Sequence, residues 1–381
     1  MITNKEFRRI YLMQVLLAVA DAMAFNFMML YLLGRGFELT DLIVATTLAF
    51  SLPVVLIAVM RRARAKVSFL TAFAAKIAAY LIALFLLGPV TMKFLFIANA
   101  LVLVFFWIPY NFEFFSFATE KNRAYSGSIA ISIYPLVALA VPPLAAVIWR
   151  SHGFRVNMVV SILVLSTSAI YMLLNKAIKL RKFDYDIAEA LRSLRGYKLL
   201  FALQGYWEAS IFVGVPVFTL LFIDTELKLG FFFSYLGALS VAGTISLARL
   251  SDRVNRRTAF LYPAVLLAAS ATVLLGFAVS PVLWVAFVGV FNFANVIATP
   301  FLIAVALDAR VTGIRMWAGR ELLLNLGRAM GAGTLLAAYR ITGSHRPGFV
   351  ILGIALLAYP VLLHLRGIYT RGEIIPSQPA K

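Results

Sequence analysis

Polar and charged residues in this chain gather in short clusters, and the stretches between them are apolar over roughly twenty positions at a time. Strands of a membrane barrel would alternate at every second residue, and these runs do not. A hydrocarbon layer about 30 Å thick needs about 20 helical residues to cross. Runs of that length recur twelve times, at 9–33, 40–60, 67–88, 93–117, 127–149, 154–175, 199–222, 230–248, 259–279, 282–307, 321–339 and 348–365. The ninth and tenth are separated by the Ser280-Pro281 break alone. The pattern predicts an all-α polytopic membrane protein of twelve transmembrane helices, arranged as two six-helix bundles.

Composition strengthens this picture. Of 381 residues, 62% are hydrophobic and 13% charged, against about 25% charged in soluble domains. The mean hydropathy is +0.93, so the solvent for most of the chain is lipid. Cysteine is absent, which excludes disulfides, thiolate metal sites and cysteine nucleophiles. His152, His345 and His364 sit at or near the ends of apolar runs, which argues against a haem ligated within the membrane. Met1 to Arg9 leads straight into an apolar run with no small-residue cleavage site, so it reads as the start of a first span, not as a removed signal peptide. No cofactor and no metal site is expected.

The net charge of +19 changes meaning once it is distributed over the loops. With the N-terminus on the cytoplasmic side, 26 of the 35 Lys and Arg fall in cytoplasmic loops, seven on the outer side, and two (Lys76 and Arg328) inside spans. This bias predicts both termini in the cytoplasm of a cell-membrane protein. It makes anionic lipid, not nucleic acid, the partner of the positive charge. The sequence then divides into a first bundle over 1–175, a linker over 176–198, and a second bundle over 199–381 with a short tail. In the linker Phe183, Ile187, Leu191 and Leu194 fall at helical spacing, predicting an amphipathic helix on the membrane surface.

The two halves are weakly alike. A shift of 187 places Asp21-Ala22-x-x-Phe25 on Glu208-Ala209-x-x-Phe212, and Arg123 on Arg310, as a parallel duplication would. Between the eighth and ninth runs stands Ala248-x-x-x-Asp252-Arg253-x-Asn255-Arg256-Arg257. This stretch resembles the loop signature of the major facilitator superfamily, with Ala248 and Asn255 where that family usually has glycine. The loop between the second and third runs, Arg61 to Lys66, is basic but has no acid. Arg320-Glu321 followed by Asn325-x-Gly327-Arg328 is also similar to some members. The resemblance implies a transporter whose halves rock about a central site lined by helices 1, 4, 7 and 10. It also implies a gating latch in which Asp252 meets the start of helix 5 near Arg123, with Arg253, Arg256 and Arg257 holding that face shut. A basic loop that merely fixes topology is the simpler alternative for the arginines.

Ionisable groups within a membrane are costly and mark function by default. Counting a helix rise of about 1.5 Å per residue from the cytoplasmic side puts Asp21 about 18 Å deep, Lys76 about 15 Å, Glu208 about 14 Å and Arg328 about 12 Å. Each acid has a base of similar depth, so either two buried ion pairs fix the packing, or Asp21 and Glu208 face a cavity and carry protons. Glu113 lies in a Pro109-Tyr110-Asn111 stretch whose proline frees a backbone carbonyl. Gln14, Asn26, Asn111, Gln204, Asn292 and Asn295 supply further polar groups to helices 1, 4, 7 and 10. Gly327-x-x-x-Gly331 and Ser128-x-x-x-Ser132 are close-packing patterns.

These readings favour a monomeric secondary transporter for a small solute, coupled to protons. A non-transporting sensor or assembly subunit on the same scaffold stands as an alternative. A membrane-embedded enzyme is a weaker one, because the close acid pair Asp184 and Asp186 sits in the linker and no catalytic group is expected. No phosphate-binding loop is present, so nucleotide-driven transport has no basis.

Overall fold

The computed structural model describes residues 5–117, 123–174, 182–251, 257–308 and 313–368. In the first half, α1 (Lys5–Ala20), a π-turn (Asp21–Phe25) and α2 (Asn26–Leu33) form one column. They are followed by α3 (Leu39–Val59), α4 (Ala65–Phe85), α5 (Pro89–Phe105), α6 (Trp107–Phe115), α7 (Arg123–His152) and α8 (Phe154–Leu174). A short helix α9 (Ile187–Ser193) leads to the second half. There α10 (Lys198–Ala209), a π-turn (Ser210–Gly214) and α11 (Val215–Phe218) form a column. It is followed by α12 (Glu226–Ser251), α13 (Arg257–Leu275), α14 (Pro281–Asp308), α15 (Ile314–Thr342) and α16 (Arg346–Leu365).

Helices occupy all the predicted runs. Among the described residues nine helical stretches are long and apolar enough to cross a membrane. The α10–α11 column is interrupted, α13 contributes a shorter apolar stretch, Phe260–Leu275, and α15 carries Arg320, Glu321 and Arg328. Large apolar side chains such as Phe85, Val282 and Ile341 stay exposed, as lipid-facing residues must.

One break follows directly from sequence. Pro109 has no N–H to offer the carbonyl of Phe105, and the helix is interrupted there, between α5 and α6.

The halves meet through α3 with α15 and α7 with α12. On the face that carries α9, here the linker face, Phe115 of α6 stacks on Trp317 of α15 with centroids 5.0 Å apart. Ile57, Ile108, Tyr185, Leu194, Phe201 and Trp317 belong to one buried cluster there. Toward the opposite face Phe27 of α2 meets Phe233 of α12 edge-on at 6.1 Å. The two halves therefore touch on both faces.

Two expectations change. The linker is not one amphipathic helix on lipid. Strand β2 (Lys182–Asp184) pairs antiparallel with β1 (Arg62–Arg64), and α9 has seven residues. Asp186 starts α9 by accepting from the amides of Ala188 and Glu189, which hold its carboxyl below the usual range. The apolar stripe then packs on protein: Leu194 is buried, against the Gly319 position of α15. The second change is the start of α15. Hydropathy placed Glu321 at the mouth of its helix, but α15 begins at Ile314, and Arg320 and Glu321 are buried two turns in. That first stretch is shielded by protein, so it needs no apolar composition.

Candidate functional site

Two buried ion-pair centres lie one in each half. In the first, Asp21 opens the π-turn that divides α1 from α2. Such a turn closes hydrogen bonds five residues apart and re-aims the backbone. Polar side chains of α8 bond to carbonyls at this turn. Ser161 Oγ donates to the carbonyl of Ala20 at 2.9 Å, and Asn157 Nδ2 to that of Met23 at 3.0 Å. Asn157 also donates to the carbonyl of Ala145 on α7 at 2.8 Å, joining three helices at one amide.

The re-aimed Asp21 carboxylate lies 2.7 Å from Nζ of Lys76 on α4. Lys76 donates to Oδ1 of Asn99 on α5 at 2.8 Å and stands 3.8 Å above the ring of Phe25. Lys76 is only 2% exposed and Asp21 18%. The base is therefore the more deeply buried partner. A charge at this depth persists when paired and hydrogen-bonded.

The second centre is closer knit. Arg328 on α15 donates to Oε2 of Glu208 on α10 through Nε at 2.8 Å and Nη2 at 2.5 Å. Gln204, one turn before Glu208, donates to its other oxygen at 2.7 Å. Arg328 also lies 5.0 Å from the ring of Phe212, in the π-turn that follows α10. A backbone approach makes this reach short. A Cβ on Gly205 would fall 2.1 Å from the carbonyl oxygen of Leu324, and one on Gly327 2.1 Å from that of Ala202. Only glycine lets α10 and α15 come this close, as in other membrane helix pairs with small contact residues.

The centres correspond in layout: an acid, a π-turn at or just after it, and an aromatic ring four residues on that faces the base. Phe25 and Phe212 are the rings, and Phe50 of α3 reaches across the halves to Phe212 at 6.1 Å. The bases differ in origin, Lys76 from α4 and Arg328 from α15.

Other anticipated residues take different roles. Asn292 of α14 is spent on α12, donating to the carbonyl of Leu236 and to Ser240 at 2.9 and 2.7 Å. Asn295 accepts from Thr299 on its own helix. Gln14 accepts from the hydroxyl of buried Tyr110. Glu113 is buried, and Asn26 and Asn111 are partly exposed. Asp252, Arg253 and Arg256 lie outside the described residues, as do the side chains of Arg123 and Arg257. Among the described residues no group of acids and histidines is placed to hold a metal.

Asn99, Asn157 and Ser161 were not anticipated. Their signal was present, since Asn157, Ser161 and Ser168 form a polar stripe at helical spacing along the otherwise apolar α8. Surface cavities of about 620 and 310 Å³ open elsewhere, lined by Arg35, Lys93 and Arg155 in one and by Ser344 and His345 in the other. None of the four paired residues lines either cavity.

The helical fold is one that solved transporter structures share. The chain is similar to the human organic anion transporter MFSD10 (TETRAN), with a TM-score of 0.66 and 14% identity over 95% of this chain and all of that one. It is also similar to a POT family transporter in complex with a thioalcohol-conjugated peptide, with a TM-score of 0.69 and 9% identity over 95% of this chain and 96% of the other. No protein-family model matches the sequence, and no curated protein matches it.

Proposed function

We propose that this protein is a secondary active transporter of twelve spans that carries a small polar solute across the cell membrane by alternating access, coupled to protons. The observation that carries the reading is the pair of centres, Asp21–Lys76 and Glu208–Arg328, one in each half and both at depth. In each centre an acid is held beside a base. A proton that neutralises it frees the base and alters the balance between the halves, which is how a proton gradient does work on a rocking pair of bundles. The loop-charge bias supports the linker face as the cytoplasmic one, with both termini there. The closed aromatic contacts on each face, Phe115 on Trp317 and Phe27 on Phe233, fit gates that open in turn. In this reading Asp252, Arg253, Arg256 and Arg257 form the latch that holds the linker face shut.

The test uses purified protein in liposomes that enclose a pH-sensitive dye, with an inward proton gradient and a panel of sugars, amino acids, organic acids and amphiphilic drugs. At least one solute is expected to accelerate internal acidification, and Asp21→Asn or Glu208→Gln to abolish that acceleration. Solute-driven proton entry that survives in both variants would refute the coupling. Binding without flux of any solute would favour a sensor on the same scaffold.

A further inference from the structure

Arg328 does not belong to Glu208 alone. Two of its nitrogens, Nε and Nη2, hold Oε2 of Glu208, and the third, Nη1, lies 3.6 Å from Oε2 of Glu321, two turns back on α15. Glu321 in turn is 3.2 Å from Nη1 of Arg320 through its other oxygen. All four residues are buried, and together they carry two positive and two negative charges. Asn325 tightens the arrangement. Its amide donates to the carbonyl of Glu321 at 2.7 Å, and its carbonyl oxygen lies 3.4 Å from Arg328 Nη1.

We propose that Glu321 is the alternate partner of Arg328, a charge-balancing acid that takes over the guanidinium when Glu208 accepts a proton. This rests on the reading of Glu208 as a proton carrier and adds the residue that makes the step affordable inside a membrane. Protonation of Glu208 cancels one negative charge and leaves two buried arginines facing one carboxylate. With Nη1 already near Glu321, a small rotation of the Arg328 side chain places a second cation on that acid. The proton on Glu208 finds a ready acceptor as well. Gln204 Oε1 is buried and has no hydrogen-bond partner among the described residues, so turning its carboxamide would let it accept from the new carboxyl O–H. The atoms balance: one proton moves from the aqueous side to a Glu208 oxygen, and one guanidinium contact passes from Glu208 to Glu321.

The surroundings limit what else takes part. The buried charged groups on α15 are Arg320, Glu321 and Arg328, and α10 brings Glu208. The α16 helix brings Tyr359, whose buried hydroxyl has no hydrogen-bond partner among the described residues and which interacts with Arg320 and Glu208. Packed on α15 are also α6, which carries the buried acid Glu113, and α9, whose Glu189 is paired with exposed Arg315. Toward this region α3 brings Phe50 and no acid or base.

The test is an infrared titration of purified protein in lipid, following the C=O stretch of the protonated carboxyl that Glu208→Gln removes. In Glu321→Gln the network is one positive charge in excess before Glu208 titrates. The midpoint is expected to move to lower pH by about 1–3 units, the range a neighbouring charge produces. In Arg320→Gln the sign reverses and the midpoint moves up. In the double variant the charge is balanced again, and the midpoint returns to within about half a unit of the wild type. A purely structural role for Glu321 moves neither midpoint in this signed way. An unmoved midpoint in Glu321→Gln overturns the proposal, and should that variant fail to fold, an unmoved or lowered midpoint in Arg320→Gln does the same. If no band disappears in Glu208→Gln, the fault lies with the proton-carrier reading itself.

Discussion

Asn157 shows how much of the site depends on residues that carry no charge. Its amide bonds two carbonyls, those of Met23 and Ala145, and so fixes the turn that aims Asp21. Leaving buried polar groups unpaired costs about 1–3 kcal/mol, so Asn157→Leu is expected to lower the melting temperature of the purified protein clearly. Thr167→Ala removes only a bond from an exposed hydroxyl to its own helix and is expected to change little; equal losses in the two variants would mean that Asn157 has no special role. The charged residues themselves were legible in the sequence, because a lysine or glutamate amid twenty apolar residues stands out and helix rise gives its depth. Their pairing was one of the two alternatives that matching depths left open. Partners such as Asn99 and Ser161 were harder to foresee, since small polar residues are tolerated in membrane helices for many reasons.

At the level of the helices, the α10–α15 pair sets the geometry of Glu208 and Arg328. The Gly327 and Gly331 pattern marked a close contact in the sequence, and the structure identifies its partner as α10, with Gly205 on the facing surface. A Cβ at Gly327 would strike backbone, which cannot rotate away, whereas one at Gly333 meets nothing within 4 Å. Overpacking of this kind costs about 1–3 kcal/mol. Gly327→Ala is therefore expected to lower the melting temperature and Gly333→Ala to leave it nearly unchanged; identical behaviour would show that the helices are not in this contact. Element positions were readable from hydropathy where a helix faces lipid. They failed at the start of α15, where burial in protein removes the need for apolar residues. The same ambiguity affected the linker, because a stripe of Ile187, Leu191 and Leu194 has one spacing whether it covers lipid or α15. The π-turns after Ala20 and Ala209 had no signature at all, since a change in backbone register leaves composition unaltered.

For the whole molecule, the duplication suggested by Asp21 and Glu208 extends to the rings Phe25 and Phe212 and to the π-turns beside them. In the proposed mechanism the two halves act as levers around these ion pairs, and the ring contacts at either face act as gates. The absence of cysteine in the sequence allows spin labels to be placed cleanly at exposed positions, Val59 with Leu365 on the linker face and Val90 with Val279 on the other. The decisive measurement is the distance within each pair, by pulsed electron resonance in liposomes, as pH is lowered from about 8 to about 5, across the range where buried carboxylates titrate. The account predicts that one pair lengthens while the other shortens, and that Glu208→Gln holds both at a single pH-independent setting. Distances that stay fixed, or that rise and fall together, would contradict alternating access driven by protonation.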